Sequence, residues 1–177
     1  LIIEVAPALS IHRITDLALK AAPDMEPGIL FTERQFGLLE LHANKMADLD
    51  SAGQAILKGI KAKATDQLAP KILYHDIIED LSDQHAIILN RSRDGSILIP
   101  GVALLIFEMT PALFACVAAN EAEKAADVRL VGLGNNGAVG RLRLAGTDAA
   151  IDFALGEVEA MVGSRARETF EAHLPRD

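Results

Sequence analysis

The alternation of apolar and polar residues divides the chain into two similar series of strands and helices. An apolar run at residues 1–5 predicts a strand, and the residues from Ser10 to Ala22 then follow the helical period. The same order returns later, with an apolar run at residues 102–109 and a helical pattern from Thr110 to Ala126. The chain is therefore expected to contain two strand-helix openings of the same kind.

A proline and a hydroxyl residue stand at the start of each predicted helix. Pro7 and Pro111 fall where the first helical turn is expected, and there a missing N–H costs no hydrogen bond. Ser10 and Thr110 are candidate N-caps, because a hydroxyl oxygen accepts a hydrogen bond from an exposed helical N–H.

After each of these helices the pattern predicts a strand, a loop, a second strand and a further helix. In the first series these segments are residues 28–31, 32–35, 36–42 and 48–67. In the second series they are residues 128–132, 133–137, 139–145 and 147–162, and Gly163 is the expected end of the last helix.

Further strands are predicted between the two series. They cover residues 71–78 and 85–99, and Asp94-Gly95 is a strong turn signal that would make the second segment a hairpin. No linker rich in glycine and serine interrupts this region. We therefore predict two α/β domains, the first at residues 1–84 and the second at residues 85–177.

The two series are copies of each other at the level of individual residues. Residues 2–22 align with residues 106–126 without a gap, and nine positions are identical. The first copy has Ile2, Glu4, Pro7, Ala8, Leu9, Ala18, Lys20, Ala21 and Ala22, and the second has Ile106, Glu108, Pro111, Ala112, Leu113, Ala122, Lys124, Ala125 and Ala126. The fold is therefore expected to be an internal tandem repeat.

Composition and charge restrict the class of partner. Half of the residues are hydrophobic, but only 4% are aromatic, and the formal net charge of −8 argues against a nucleic-acid partner. No apolar run reaches the length needed to span a bilayer, so no membrane segment is expected. Residues 1–9 lack the pattern of a signal peptide. Cys116 is the single cysteine, which excludes an internal disulfide and a cysteine-ligated cluster within one chain.

Three groups of residues could suggest an enzyme, and each is weak. Residues 132–137 fit the G-x-G-x-x-G pattern of dinucleotide binding, but an alternating strand pattern follows where a helix is required. The acidic cluster of His75, Asp76, Glu79 and Asp80 could perform acid–base chemistry only in a cleft, and such charge runs are usually solvated. The histidines, which are His12, His42, His75, His85 and His173, lack metal-ligand spacing. We expect no cofactor and no metal.

Residues 101–162 resemble the shell domain of bacterial microcompartments (BMC). The similarity lies in the strand Leu-Leu-Ile-Phe-Glu at 104–108, in Lys-Ala-Ala at 124–126 and in Val-Arg-Leu-Val-Gly at 128–132. The first copy is similar but more diverged, with Ile-Ile-Glu at 2–4 and Lys-Ala-Ala at 20–22. Because strand material precedes the second copy and none closes it after residue 163, we predict the circularly permuted variant of the domain. For the first copy, permutation would require strands upstream of Leu1.

The resemblance implies a tandem of two ferredoxin-like BMC domains that assembles as a homotrimer mimicking a hexamer. Such trimers join other shell proteins edge to edge, and the family's edge lysine falls on Lys20 and Lys124. The alternative for both lysines is a cation that complements a helix dipole. The family's pore loop falls on Thr32, Glu33, Arg34 and Gln35 in one copy and on Gly134, Asn135, Asn136 and Gly137 in the other.

The sequence therefore predicts a structural subunit of a bacterial microcompartment shell, with a central pore that passes small polar metabolites. It predicts no catalytic residues. One alternative is a soluble metabolite-binding or regulatory domain built from two ferredoxin-like repeats. A further alternative is an enzyme that uses the loop at residues 132–137 with a nucleotide. For the two predicted pore loops, the alternative is an ordinary surface turn.

Overall fold

The computed structural model describes residues 1–172, and its side chains are described as far as residue 169. The chain divides into two compact units. The first contains Leu1–Gln67 together with Asn136–Ala138, and the second contains Leu68–Asn135 and Val139–Glu171. The division thus falls after residue 67, whereas the sequence placed it after residue 84. The physical reason is that the strand at residues 71–78 pairs with the opening strand of the second repeat.

The first unit is a three-stranded antiparallel sheet with two helices. Its elements are β1 (Ile2–Val5), α1 (Ser10–Ala21), β2 (Glu26–Thr32), β3 (Gly37–His42) and α2 (Met46–Ile60). The strand order is β1-β3-β2. Leu39 and Leu41 of β3 are buried together with Ile11 and Ile14 of α1 and Ile56 of α2. The core of this unit therefore lies between one face of the sheet and both helices.

The second unit repeats this order and adds two elements before it. Its elements are β4 (Lys71–Ile78), α3 (Asp83–Asn90), β5 (Ala103–Thr110), α4 (Phe114–Ala125), β6 (Arg129–Gly134), β7 (Gly140–Gly146) and α5 (Asp148–Ala172). The strand order is β4-β5-β7-β6, and every pair is antiparallel. The strand β4 completes the sheet from a position before the repeat, which is the order predicted for a permuted domain.

The two faces of the second sheet are covered by different helices. Phe107 and Met109 of β5 and Leu142 and Leu144 of β7 lie in the core formed with α4 and α5. The face of α4 in this core consists of alanines, namely Ala115, Ala118, Ala119 and Ala122. Small side chains allow the helix axis to approach the strands closely. On the opposite face, Leu104 and Val131 are buried with Ala86 of α3.

The hairpin predicted at residues 85–99 is wrong. Residues 83–90 form α3, and residues 91–99 contain no regular element. Ser82 is the N-cap of this helix, and its hydroxyl oxygen accepts a hydrogen bond from the His85 N–H. Asn90 then binds the following segment at both polar groups of Leu98, donating to its carbonyl oxygen at 2.8 Å and accepting from its N–H at 2.9 Å. We call the two hydrogen bonds between Asn90 and Leu98 the Asn90 clamp. The clamp and the helix cap stabilise this arrangement, so the turn signal at Asp94-Gly95 does not produce a hairpin.

Three expectations about helix ends are also wrong. Pro7 and Pro111 open a turn before each helix, and α1 and α4 begin three residues after them, at Ser10 and Phe114. Neither Ser10 nor Thr110 caps a helix, because the Ser10 hydroxyl donates to the Pro7 carbonyl and Thr110 ends β5. Likewise α5 continues through Gly163 to Ala172. His173 lies outside the described residues.

The Asn90 clamp gives a first testable prediction. Asn90→Ala removes two partly buried hydrogen bonds, each contributing about 0.5–1.5 kcal/mol, and should lower the free energy of unfolding by about 2 kcal/mol. The matched control is Asn120→Ala, since the Asn120 side chain is exposed and its hydrogen bond, among the described residues, is to the neighbouring Glu121. A melting temperature lower by roughly 4–8 °C for the first variant and unchanged for the second is the expected result. Equal melting temperatures would contradict the clamp.

Candidate pore loops and tile-edge lysines

The first predicted pore loop is the tip of the β2–β3 hairpin. Thr32 is the last residue of β2 and lies opposite Gly37, the first residue of β3. The turn is closed by a hydrogen bond of 2.9 Å from the Glu33 N–H to the Phe36 carbonyl. Thr32, Arg34 and Gln35 are exposed and Glu33 is partly exposed. The turn therefore presents two adjacent opposite charges, Glu33 and Arg34, at the end of the β2–β3 hairpin.

The second predicted pore loop is the tip of the β6–β7 hairpin. Gly134 ends β6 opposite Arg141, and residues 135–139 connect the strands. Gly137 has a φ of +90°, a conformation that side chains with a Cβ rarely adopt. The Asn135 amide donates to the Cys116 sulfur of α4 at 3.4 Å, which ties the loop to a helix of the core.

Each predicted quartet thus lies together at one hairpin tip, and the two hairpins occupy equivalent places in the two repeats. Their chemistry differs. The first tip carries a carboxylate and a guanidinium, and among the described side chains neither group forms an ion pair. The second tip carries only amides and backbone groups. That these eight residues line a pore remains a prediction.

The two predicted edge lysines occupy the same place in each repeat. Lys20 is in the last turn of α1 and Lys124 is in the last turn of α4. The Lys20 ammonium lies 2.8 Å from Asp16, and the Lys124 ammonium lies 3.4 Å from Glu121. Both lysine side chains are about two-thirds exposed or more, at 73% and 66%. Exposed pairs of this kind are worth little, so both lysines are available for an intermolecular contact as well as for the helix dipole.

The structure excludes the dinucleotide-binding interpretation of residues 132–137. These residues end one strand and begin the turn to the next, and β6 and β7 are antiparallel. A pyrophosphate site of that type requires a helix N-terminus directly after the glycine loop, and β7 stands there.

The acidic cluster at the end of β4 and in the residues that follow it lies on the surface. His75, Asp76, Glu79 and Asp80 are all exposed, and the His75 ring lies 3.4 Å from the Glu159 carboxylate. The charge of Asp76, followed by desolvation and a hydrogen bond to the same carboxylate, raises the pKa of Tyr74 above its ordinary value. Within residues 1–172, no three His, Cys, Asp or Glu side chains are placed to hold a metal ion.

One cluster of titratable side chains, His42 with Glu26 and Glu40, was not predicted from the sequence. His42 at the end of β3 lies between two carboxylates, with Nδ1 3.1 Å from Glu40 and Nε2 3.5 Å from Glu26. Glu26 and His42 are directly opposite each other across β2 and β3. The register of this strand pair, which the sequence does not specify, brings them together.

None of the helices within residues 1–172 combines the length and the apolar character needed to cross a bilayer.

Each repeat consists of a strand, a helix, a β-hairpin and a second helix, and in the second unit a strand that precedes the repeat completes the sheet. The family model described as the CsoS1D N-terminal domain matches residues 1–66. The carboxysome shell protein CcmP of Synechococcus elongatus is 40% identical over 164 residues, which is 93% of this chain and 72% of that protein. The carboxysome shell protein CsoS1D of Hydrogenovibrio crunogenus is 40% identical over 150 residues, covering 84% and 73%.

Two solved structures share the fold at similar sequence identity. The double-ringed trimeric shell protein MSM0271 of the RMM microcompartment is 49% identical with a TM-score of 0.85, covering 92% of this chain and 80% of that one. The fused permuted hexameric shell protein MSM0275 of the same microcompartment is 41% identical with a TM-score of 0.85, covering 93% and 81%. The chain therefore belongs to the family of tandem bacterial microcompartment shell proteins that includes CcmP and CsoS1D.

Membership of this family confirms the predicted class. The chain is a subunit of a microcompartment shell, and the shell is where it is located. The relatives are structural proteins, and none of these comparisons supports the alternative of a soluble metabolite-binding module.

Proposed function

We propose that three copies of this chain form a pseudohexameric tile that joins neighbouring shell proteins edge to edge. The observation that carries the proposal is the repetition of one unit, since β1–α1–β2–β3–α2 in the first half recurs as β5–α4–β6–β7–α5 in the second. Three chains then supply six similar units, which is the number needed to fill a six-sided tile. The similarity to MSM0271, a protein described as trimeric, supports the same number.

The mass of the assembled protein tests this proposal. Light scattering should give the mass of three chains of 18.9 kDa, about 57 kDa, or a whole multiple of it. Negative-stain electron microscopy of the same sample should show six-sided particles that pack into sheets at high protein concentration. A monomer or dimer with no lattice would refute the trimeric tile.

The pore of this tile is assigned to the two hairpin tips. In a trimer the tips would surround the axis in alternation, with three copies of Glu33 and Arg34 between three copies of the loop at residues 134–137. Six charged groups of both signs, together with amide dipoles, favour small polar solutes over apolar ones. The proposed role is passage of such metabolites, with no catalytic step on this chain.

Cross-linking tests whether the first tip faces the axis. A Glu33→Cys variant in a Cys116→Ala background should form covalent dimers with a flexible bismaleimide. Up to two-thirds of the chains should become cross-linked, because a trimer with three thiols leaves one chain without a partner. Asp50→Cys in the same background is the control, since Asp50 is exposed on α2. Equal cross-linking of the two variants in dilute solution would show that Glu33 does not line the pore.

The melting temperature in the presence of dinucleotides tests whether the chain binds a nucleotide cofactor. NAD and NADP should leave the melting temperature of the protein unchanged, because a ligand that binds the native state raises it. A concentration-dependent rise with either dinucleotide would contradict a purely structural role.

A further inference from the structure

Asn136 is an exposed residue in the loop between β6 and β7, and Gly137 follows it. An Asn-Gly dipeptide is chemically labile, because the main-chain nitrogen of the second residue can attack the side-chain amide of the first. Glycine hinders this attack least, since it has no Cβ. The chain contains five asparagines, and only Asn136 precedes a glycine. The others are Asn44, Asn90, Asn120 and Asn135.

The structure holds neither of the two reacting groups in place. Residues 135–139 form no regular element. Neither the Asn136 side chain nor the Gly137 N–H forms a hydrogen bond with any residue that the structure describes. Gly137 has a φ of +90°, which glycine adopts without strain. The two groups can therefore approach each other without breaking a strand ladder or a helix.

The other four asparagines each lack one of these features. Asn135 donates its side-chain amide to a sulfur of α4 at 3.4 Å, and Asn90 is held by the Asn90 clamp. Asn120 lies within α4, where the N–H of the next residue is part of the helical ladder. Asn44 is exposed, but the residue that follows it is a lysine, which carries a Cβ. Asn136 alone combines an open turn with a following glycine.

We propose that Asn136 is a site of spontaneous deamidation, which converts a neutral residue of this hairpin tip into a carboxylate. The Gly137 nitrogen forms a bond to Cγ of Asn136, and the bond from Cγ to the amide nitrogen breaks. That nitrogen leaves as ammonia with the proton that Gly137 has lost. Water then opens the cyclic succinimide at either of its carbonyl groups, so residue 136 becomes aspartate or isoaspartate. Each chain thereby gains one negative charge.

The new charge arises in a predicted pore loop, and its consequence rests on the pore proposed above. In the trimer, three neutral tips would become three carboxylates beside the axis. Rings of carboxylates favour cations and disfavour anions. Tiles that have aged would therefore pass anionic metabolites less readily than newly made tiles.

Mass spectrometry of the protein after incubation at mildly alkaline pH tests the modification itself. The tryptic peptide of residues 130–141 should gain about 1 Da, and fragment ions should locate the gain at residue 136. Asn136→Gln is the matched variant, because it keeps the amide but places the carbonyl carbon one bond further from the attacking nitrogen. It should slow the gain at least about tenfold. No gain at residue 136, an equal gain at residue 135, or an unchanged rate in Asn136→Gln would refute the site.

Thiol reactivity at the other hairpin tip tests whether the new charge reaches the pore. The reporter is Glu33→Cys in the Cys116→Ala background, and Asn136→Asp represents the reaction product. Asn136→Asp should slow the reaction of this thiol with an anionic thiosulfonate and accelerate it with a cationic one, each by about twofold or more. Asn120→Asp makes the same charge change on the exposed surface of α4 and should alter neither rate. Unchanged rates together with a mass gain at residue 136 would overturn the pore assignment and not the deamidation site, so the two failures are distinguishable.

Discussion

Gly140→Ala should destabilise the second unit by about 2–3 kcal/mol. Gly140 is the buried first residue of β7, and a Cβ built there would collide with the Ala112 carbonyl and lie 2.9 Å from the Cβ of Ala115. Both alanines are fully buried, Ala115 within α4 and Ala112 in the turn that precedes it, so neither can yield without moving the helix. Forcing an extra carbon into a packed contact between backbone atoms costs about 1–3 kcal/mol, and here the loss of close sheet–helix contact adds to it.

The control for this variant is the same substitution in an open place. Gly163→Ala lies in α5, where nothing approaches a Cβ within 4 Å, so it should raise stability by up to about 1 kcal/mol. Melting temperatures measured at one protein concentration should therefore move in opposite directions, with a fall of roughly 4–12 °C for Gly140→Ala. A fall of the same size in both variants would show that the collision with α4 is not the cause.

The first repeat offers an internal check on this result. Gly37, at the start of β3, would meet the Ala8 carbonyl in the same way, and its Cβ would lie 2.7 Å from the Cβ of Ile11. Gly37→Ala should therefore also be destabilising. The two glycines occupy equivalent places, where the turn after each proline crosses the beginning of a strand.

Replacing both Lys20 and Lys124 by alanine should abolish the two-dimensional sheets and leave the trimer intact. Each lysine is exposed at the last turn of its helix. In the proposed tile its long side chain contacts a neighbouring tile. Three chains would place six such lysines around one tile, so the loss of all six removes a contact repeated at every edge. Negative-stain microscopy measures the sheets, and light scattering measures the trimer.

The control distinguishes an edge contact from a helix-dipole effect. Lys58 is exposed in the last turn of α2 and interacts with the dipole of its helix in the same way. Lys58→Ala should therefore cost the same small amount of stability, about 0.3–1 kcal/mol, and should leave the sheets unchanged. Sheets that persist in the double variant would leave only the dipole role for Lys20 and Lys124.

The tandem organisation and most elements could be predicted from the sequence because they depend on local patterns. The alternation Arg141, Leu142, Arg143, Leu144 predicts a strand with one polar face, and in β7 the leucines are buried while Arg143 faces Asp94 at 3.6 Å. The repeat itself is visible as identical residues at a constant offset. Both predicted pore loops lie at hairpin tips. In each case the residues that interrupt the strand pattern are adjacent in the chain, so they fall together in one turn.

The parts that were missed depend on contacts between distant residues. Residues 85–99 contain a good turn signal, yet the packing of Ala86 against Leu104 and Val131 makes residues 83–90 a helix. Gly163 is a good helix terminator, but nothing near it requires the chain to turn. Because the sequence ended the last helix there, it also missed the part of α5 that continues to Ala172.

By itself the sequence determined the repeat, the alternation of strands and helices, and through the resemblance the class of shell protein. These properties follow from side-chain periodicity and from motifs read within short segments. Only the tertiary structure decided the division after residue 67, the helix at residues 83–90 and the contact of His42 with two carboxylates. Each of these results from strand pairing or side-chain packing between segments far apart in the chain, where the stabilising contacts exceed the local conformational preferences that a sequence displays.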